Sequence, residues 1–314
     1  MPMSPQYGLC RIAGSGDDRA VVIVHGIRQT REALADPFGY RLAEILPAGT
    51  SIYVYGYNYN DALVDNGTAL ARAIQLELGG RDRIDIVGYS MGGLVARLAV
   101  MDRPNVSINT VVTLATPNTG AMSNAELATL GQIGLNMLQF ISPLWPRAAG
   151  ILDLTRASTI MKDQANEMKS KGRTLEHVRY ASIPAIFYND QRCDTELGPT
   201  PMLTGLQAVL FAANLKRKIM KMPRSHDGIV TETSNDLTRG DMQIRNEMQI
   251  IGASGRGPHR LHATVDDCLD QDHSSILEKS EPVRLVAAIL ECVDWTNLAA
   301  FDPLLKHSIK SRMA

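Results

Sequence analysis

Two apolar patterns alternate over the first third of the chain. Short runs rich in β-branched and aromatic residues occur at Val21–Val24, Ser51–Tyr57, Ile84–Val87 and Val111–Ala115. An apolar run without polar alternation predicts a strand buried on both faces, as in a parallel sheet. Between these runs the apolar positions recur at helical spacing. Leu34, Phe38, Leu42 and Ile45 mark a helix over Arg31–Leu46. Leu63, Leu70, Ile74 and Leu78 mark one over Asp61–Leu78, stopped by Gly79-Gly80, and a third covers Gly92–Met101. Strands alternating with helices in this way predict βαβ units and a mostly parallel sheet with helices on both faces.

The rhythm breaks after Pro117. Residues 118–172 contain no convincing strand, and Leu127, Leu130, Gly134, Met137, Leu138 and Ile141 fall on one helical face. The sheet pattern resumes at His177–Tyr188. A second excursion follows over 189–224, with a helix-like apolar stretch at Leu203–Leu215. Arg260–Val265 is expected to be the last strand and Glu281–Val293 the last helix. Ser280 is placed to cap that helix, Pro282 lies in its first turn, and Val283, Val286, Leu290 and Val293 are expected to face inward. Without repeats, low-complexity tracts or a Pro/Ser linker, residues 1–314 read as a single α/β domain. It carries a helical cap or lid insertion at 118–172 and a second insertion at 189–224.

Composition narrows the classes of function. Lys+Arg is 32 and Asp+Glu is 33, a formal net charge of 32 − 33 = −1. Such balance gives no electrostatic case for nucleic acid or an anionic membrane. An apolar fraction of 45% supports a sizeable core. The longest uncharged stretch, Leu127 to Pro146, holds two prolines, two glycines and several amides, so no transmembrane segment is expected. The start of the chain shows no basic region followed by an apolar one, so a cytoplasmic location is the expectation. Cys10, Cys193, Cys268 and Cys292 form no CxxC pair; neither a metal site nor a cofactor is expected.

Gly88-Tyr89-Ser90-Met91-Gly92 matches G-x-S-x-G and lies between the strand IDIV and the helix GGLVARLAVM. A serine in a tight strand-to-helix turn projects its Oγ above the sheet edge. Glycines on either side let the two backbones pass closely. The helix N-terminus aims amides and positive dipole at a developing oxyanion. With the strand ending in His25-Gly26-Ile27 and the segment LATPNTG at Leu114–Gly120, the chain resembles lipase-like serine hydrolases of the α/β-hydrolase fold. The resemblance is strongest over residues 20–120 and returns near 225–295. It implies Ser90 as nucleophile and the amides of Met91 and Ile27 as the oxyanion hole. Tyr89 stands where such enzymes often have His. His25 is read as a side chain orienting the loop through local hydrogen bonds, with direct substrate contact as the alternative.

In this fold the chain order is nucleophile, acid, base. His273, in DQDHSSIL between the expected last strand and last helix, fits the base, whereas His259 and His262 lie at or inside that strand and read as structural. His226 reads as a residue beside the acid or at the surface, its position before the acid speaking against the alternative that it is the base. For the acid, Asp227 in SHDGIV resembles the acid loop of lipases; Asp190, directly after the strand PAIFY, and Asp194 remain competitors. An apolar roof from Leu127–Trp145 would suit a small hydrophobic ester or lipid substrate. Transient contact with a lipid interface is compatible with it. The basic cluster Lys216, Arg217, Lys218, Lys221 and Arg224 is either a solvated helix face or a headgroup contact. The resemblance thus implies a serine carboxylic-ester hydrolase of lipase or esterase type. Acyltransferase, phospholipase or thioesterase action on the same triad, or an inactive binding protein on the same fold, are the alternatives.

Overall fold

The computed structural model describes residues 6–27, 29–102, 106–120, 153–154, 157–171, 178–186, 230, 232–238, 260–268, 273, 275–298, 302, 305 and 309–313. Eight described strands form one sheet: β1 (Gly8–Ala13), β2 (Arg19–Val24), β3 (Thr50–Gly56), β4 (Arg83–Tyr89), β5 (Ile108–Leu114), β6 (Arg179–Ile183), β7 (Arg260–Thr264) and β8 (Lys310–Met313). Their order is β1-β3-β2-β4-β5-β6-β7-β8. The six inner strands run parallel, and β1 and β8 pair antiparallel at the two edges. The expected parallel sheet is therefore present. Arg260–Thr264 is not the last strand, however, and a strand precedes Val21–Val24. Both additions are edge strands with weak apolar signatures. Only one residue of β1 is fully buried, and β8 reads Lys-Ser-Arg-Met.

Alternation along the strands splits the core into two layers. Ala20, Val22 and Val24 of β2 face a cluster built with α3 (Leu63–Leu78) and α4 (Met91–Asp102); Val21 and Ile23 face the opposite cluster. That second layer holds α1 (Arg31–Leu34), α2 (Tyr40–Ile45) and α7 (Ser280–Glu291). Each large aliphatic side chain moved from water into these layers contributes about 1.5–3 kcal/mol. Where α3 crosses α4, a Cβ on Gly67 would lie 2.5 Å from Leu98 Cβ, so the small residue sets how closely the helices approach.

The helix expected over Arg31–Leu46 is interrupted by one wider turn, Ala35–Gly39, but Leu34, Phe38 and Leu42 face the core as the periodicity predicts. Helix α7 begins at Ser280 with Lys279 as the capping residue and no side-chain cap, so Ser280 is not the cap. The helix stops at Glu291, and Val293 is 92% exposed rather than inward. Within residues 118–172, α5 (Ala157–Ser170) packs Met161, Ala165 and Met168 into the layer of α3 and α4. Asp153, just before it, accepts a hydrogen bond of 2.9 Å from the Leu63 amide. It supplies a carboxylate to the N-terminus of α3, whose own capping residue is alanine. The expected roof at 127–145 and the whole of 189–224 lie outside the described residues. Among the described residues no helix is long and apolar enough to cross a membrane.

Candidate active site

The strand order places the site. The chain leaves β2 toward β3 on one side and returns to β4 on the other, so the loops after β2 and β4 diverge. Such a switch point leaves a crevice at the C-terminal ends of the strands, where ligands bind in open α/β sheets. Val24 and Gly88 are register partners on β2 and β4. The residues that follow them, His25-Gly26-Ile27 and Tyr89-Ser90-Met91, therefore emerge side by side.

Ser90 adopts φ +53°, a left-handed conformation that strains a residue with a side chain by about 1–3 kcal/mol. Two main-chain bonds hold it there. The Ser90 amide donates to Leu114 O at 2.8 Å, and the Gly93 amide donates to Ser90 O at 3.1 Å. Helix α4 starts at Met91, so the amides of its first turn lack partners within the helix and its positive pole lies beside the serine.

His273 Nε2 lies 2.7 Å from Ser90 Oγ. Both side chains are buried, at 4% and 5% exposure, which shields the hydrogen bond from competing water. The His273 peptide oxygen accepts a 2.6 Å hydrogen bond from Tyr89 Oη, and the two rings lie 5.3 Å apart.

The turn after β2 is fixed by its histidine. The Tyr57 amide donates to His25 Nε2 at 3.2 Å, so the proton sits on Nδ1, which donates to Gly26 O at 2.8 Å. The imidazole stacks on Tyr57 at 4.3 Å, and Tyr57 Oη donates to His25 O at 2.8 Å. Burial lowers the His25 pKa below its ordinary value, and Nε2 is already taken by the Tyr57 amide, so the ring is held neutral. Burial likewise pushes Tyr57 up, and Tyr55 up to about 12. Both ring nitrogens of His25 are engaged by main chain, at Gly26 and Tyr57, as the orienting role requires. A Cβ on Gly26 would lie 2.9 Å from Ser90 Cβ. Only glycine lets this turn approach Ser90 so closely, and Ile27 follows directly.

Asp227, Asp190, Asp194, Asp270 and Asp272 all lie outside the described residues, as do His177, His226, His259 and His307. His262 is described and is structural. It pairs in register with Ser182, whose Oγ lies 2.9 Å from its Nδ1, with Asp236 Oδ1 at 3.7 Å. This second serine–histidine–aspartate grouping is buried within β6, β7 and the 236 turn, without the strained elbow of Ser90.

Sequence reasoning missed a buried polar network beneath the elbow. Arg97 of α4 is 1% exposed and donates from Nη1 to Asn118 O and Oδ1 at 3.0 and 3.1 Å. Asn118 Nδ2 donates to Thr113 Oγ1 and Asn235 O, and Asn235 Nδ2 returns a bond to Thr116 O. Ser234 ties in through Thr119 and Gly120. The network joins the TPNTG segment to α6 (Glu232–Asn235). The one hint in the sequence is a lone arginine in the otherwise apolar stretch LVARLAV. Among the described residues no cluster of three or more His, Cys, Asp or Glu could hold a metal.

The parallel sheet, the elbow and the adjoining turn define the α/β-hydrolase fold. Comparison with known proteins agrees. The mature form of the Bacillus licheniformis lipase BlEst2 superposes with a TM-score of 0.55 at 19% identity, covering 96% of this chain and 99% of the lipase. The propeptide form of the same lipase gives 0.53 at 18% identity, covering 89% of this chain and 52% of that one. Residues 57–149 match the model of a PGAP1-like alpha/beta domain. No curated protein matches in sequence.

Proposed function

We propose that the chain is a serine carboxylic-ester hydrolase of lipase or esterase type. The observation that carries this reading is the 2.7 Å approach of His273 Nε2 to Ser90 Oγ on a strained elbow at the head of α4. Ser90 Oγ attacks the ester carbonyl carbon while its proton passes to His273 Nε2. The carbonyl oxygen becomes an oxyanion, which the amides of Met91 and Ile27 stabilise. The tetrahedral intermediate collapses to an acyl-serine. The alcohol leaves with the proton from His273. Water then attacks the acyl carbon, His273 accepts its proton, and collapse returns that proton to Ser90 Oγ as the carboxylic acid departs. Asp227 holds the imidazole in its tautomer and offsets the charge of imidazolium. Neither a metal nor an organic cofactor enters any step.

The substrate is a small hydrophobic ester or a lipid. The uncharged sequence Leu127–Ile141, with its one apolar helical face, supports that choice.

A fluorophosphonate probe tests the reading. Ser90 should be labelled, and Ser90→Ala should lose both label and p-nitrophenyl ester hydrolysis. His273→Ala should lower kcat by about 10³-fold or more. Undiminished labelling of Ser90→Ala would overturn the assignment.

A further inference from the structure

Tyr89 is the last residue of β4 and immediately precedes the nucleophile, yet its side chain belongs to the base. Its ring is 4% exposed and its hydroxyl donates to His273 O at 2.6 Å. The imidazole of His273 tilts against the phenol ring at 36°, with centroids 5.3 Å apart. On its other side the ring meets the turn after β2. A Cβ on Gly26 would lie 2.9 Å from both Cδ1 and Cε1 of Tyr89. A single rigid side chain thus spans from the oxyanion turn to the base, and β4 fixes its root through the register pair Tyr89–Leu114.

We propose that Tyr89 is the positioning residue for the base, holding the main chain of His273 so that Nε2 stays in line with Ser90 Oγ. The inference rests on the ester-hydrolase reading. His273 lies between β7 and α7; among the described residues the regular element nearest to it in sequence is the short 3-10 turn Ser275–Glu278, while its main chain is held from the end of β4. The Ser90 bond fixes one end of the residue and the Tyr89 bond the other. A carbonyl cannot donate, so the phenol proton must point at His273 O, and that direction fixes the peptide plane from which the imidazole extends. Tyrosine does this with only two side-chain torsions, at little entropic cost. A histidine in the same place has a shorter ring that stops short of the hydroxyl's position.

Tyr89→Phe tests the role by removing one oxygen from the ring. We expect kcat to fall about 10- to 100-fold, since a displacement near 1 Å can cost 100-fold, while KM stays within about twofold because the Tyr89 side chain is buried. In the His273→Ala background, Tyr89→Phe should change the residual rate less than about twofold, because the base through which it acts is gone. The ¹⁵N imidazole signal of His273, identified by its loss in His273→Ala, should shift or broaden in Tyr89→Phe. Wild-type kcat in Tyr89→Phe, or an equal loss with and without His273, would overturn the proposal. A wild-type protein that neither hydrolyses esters nor takes the probe overturns the hydrolase reading; the imidazole signal then still decides on Tyr89, an unchanged signal overturning its role. If Tyr89→Phe does not fold, Tyr89→His carries the test with the same expected loss, and wild-type kcat there overturns the role.

Discussion

Gly92 and His25 touch through their backbones: a Cβ on Gly92 would collide with the carbonyl oxygens of both Val24 and His25. The first turn of α4 and the turn after β2 are therefore registered by main chain, which side-chain repacking cannot relieve. Gly92→Ala should push the two apart. The expected outcome is a loss of at least about 100-fold in kcat/KM, the scale of one lost oxyanion donor. A stability loss of about 1–3 kcal/mol should accompany it. Ester hydrolysis and urea unfolding of the purified variant measure both, and wild-type values would show that the contact relaxes freely.

The legible parts of this molecule are those in which one local signal determines the outcome. Val21–Val24 and Val111–Ala115 are apolar at nearly every position, so their burial on both faces follows from the residues themselves. Ser90 and His273 were readable because glycines, flanking elements and chain order all constrain the same turn. The edge strands were not, because β8 is held by backbone pairing to β7 while its side chains carry almost no apolar pattern. Arg97 was unreadable for the opposite reason. Its burial depends on Asn118 and Asn235, 21 and more than 100 residues away in sequence, and no local pattern shows such partners. The role of Tyr89 likewise depends on a residue 184 positions distant.

His25 should make stability depend on pH. Its burial lowers the folded-state pKa below the ordinary value of 6.5, so the folded protein holds fewer protons on this ring than the unfolded chain in the window between the two values. Stability then rises with pH across that window, by at most about 1.4 kcal/mol per pH unit from this residue, and becomes flat above 6.5. Urea unfolding of wild type and His25→Gln from pH 4.5 to 8.5 isolates the contribution. The advantage of wild type over the variant should be full at pH 8 and shrink as the pH drops below about 6.5. A difference independent of pH would mean that the ring is protonated equally in both states.

Asn118 should prove a stability residue out of proportion to its size. It is 2% exposed, accepts twice from the Arg97 guanidinium and donates to two further groups. Asn118→Ala removes three side-chain hydrogen bonds, one of them to a charged group, and should cost about 3 kcal/mol. The midpoint of urea denaturation checks this. A cost below about 1 kcal/mol would show that Arg97 and Asn235 find other partners without strain.

The acid is decided by two substitutions. Each candidate lies near a described segment in sequence. Asp190 follows β6, which ends at Ile183, with Ile186 bonded back to Cys268 through main chain. Asp227 comes three residues before the buried Val230 and just ahead of α6, which Asn118 and Thr119 fasten to the loop leaving β5, beside the elbow. The resemblance of SHDGIV to the acid loop of lipases is what favours Asp227, and a carboxylate that must keep one imidazole tautomer needs hydrogen bonds of its own. Asp227→Asn should therefore lower kcat by about 10³- to 10⁴-fold, because the amide can present its NH₂ to the ring nitrogen and favour the wrong tautomer. Asp190→Asn should stay within about tenfold of wild type, the scale of a residue outside the proton relay. Measured side by side on one p-nitrophenyl ester, the reverse order would transfer the role to Asp190 and leave Ser90 and His273 unaffected.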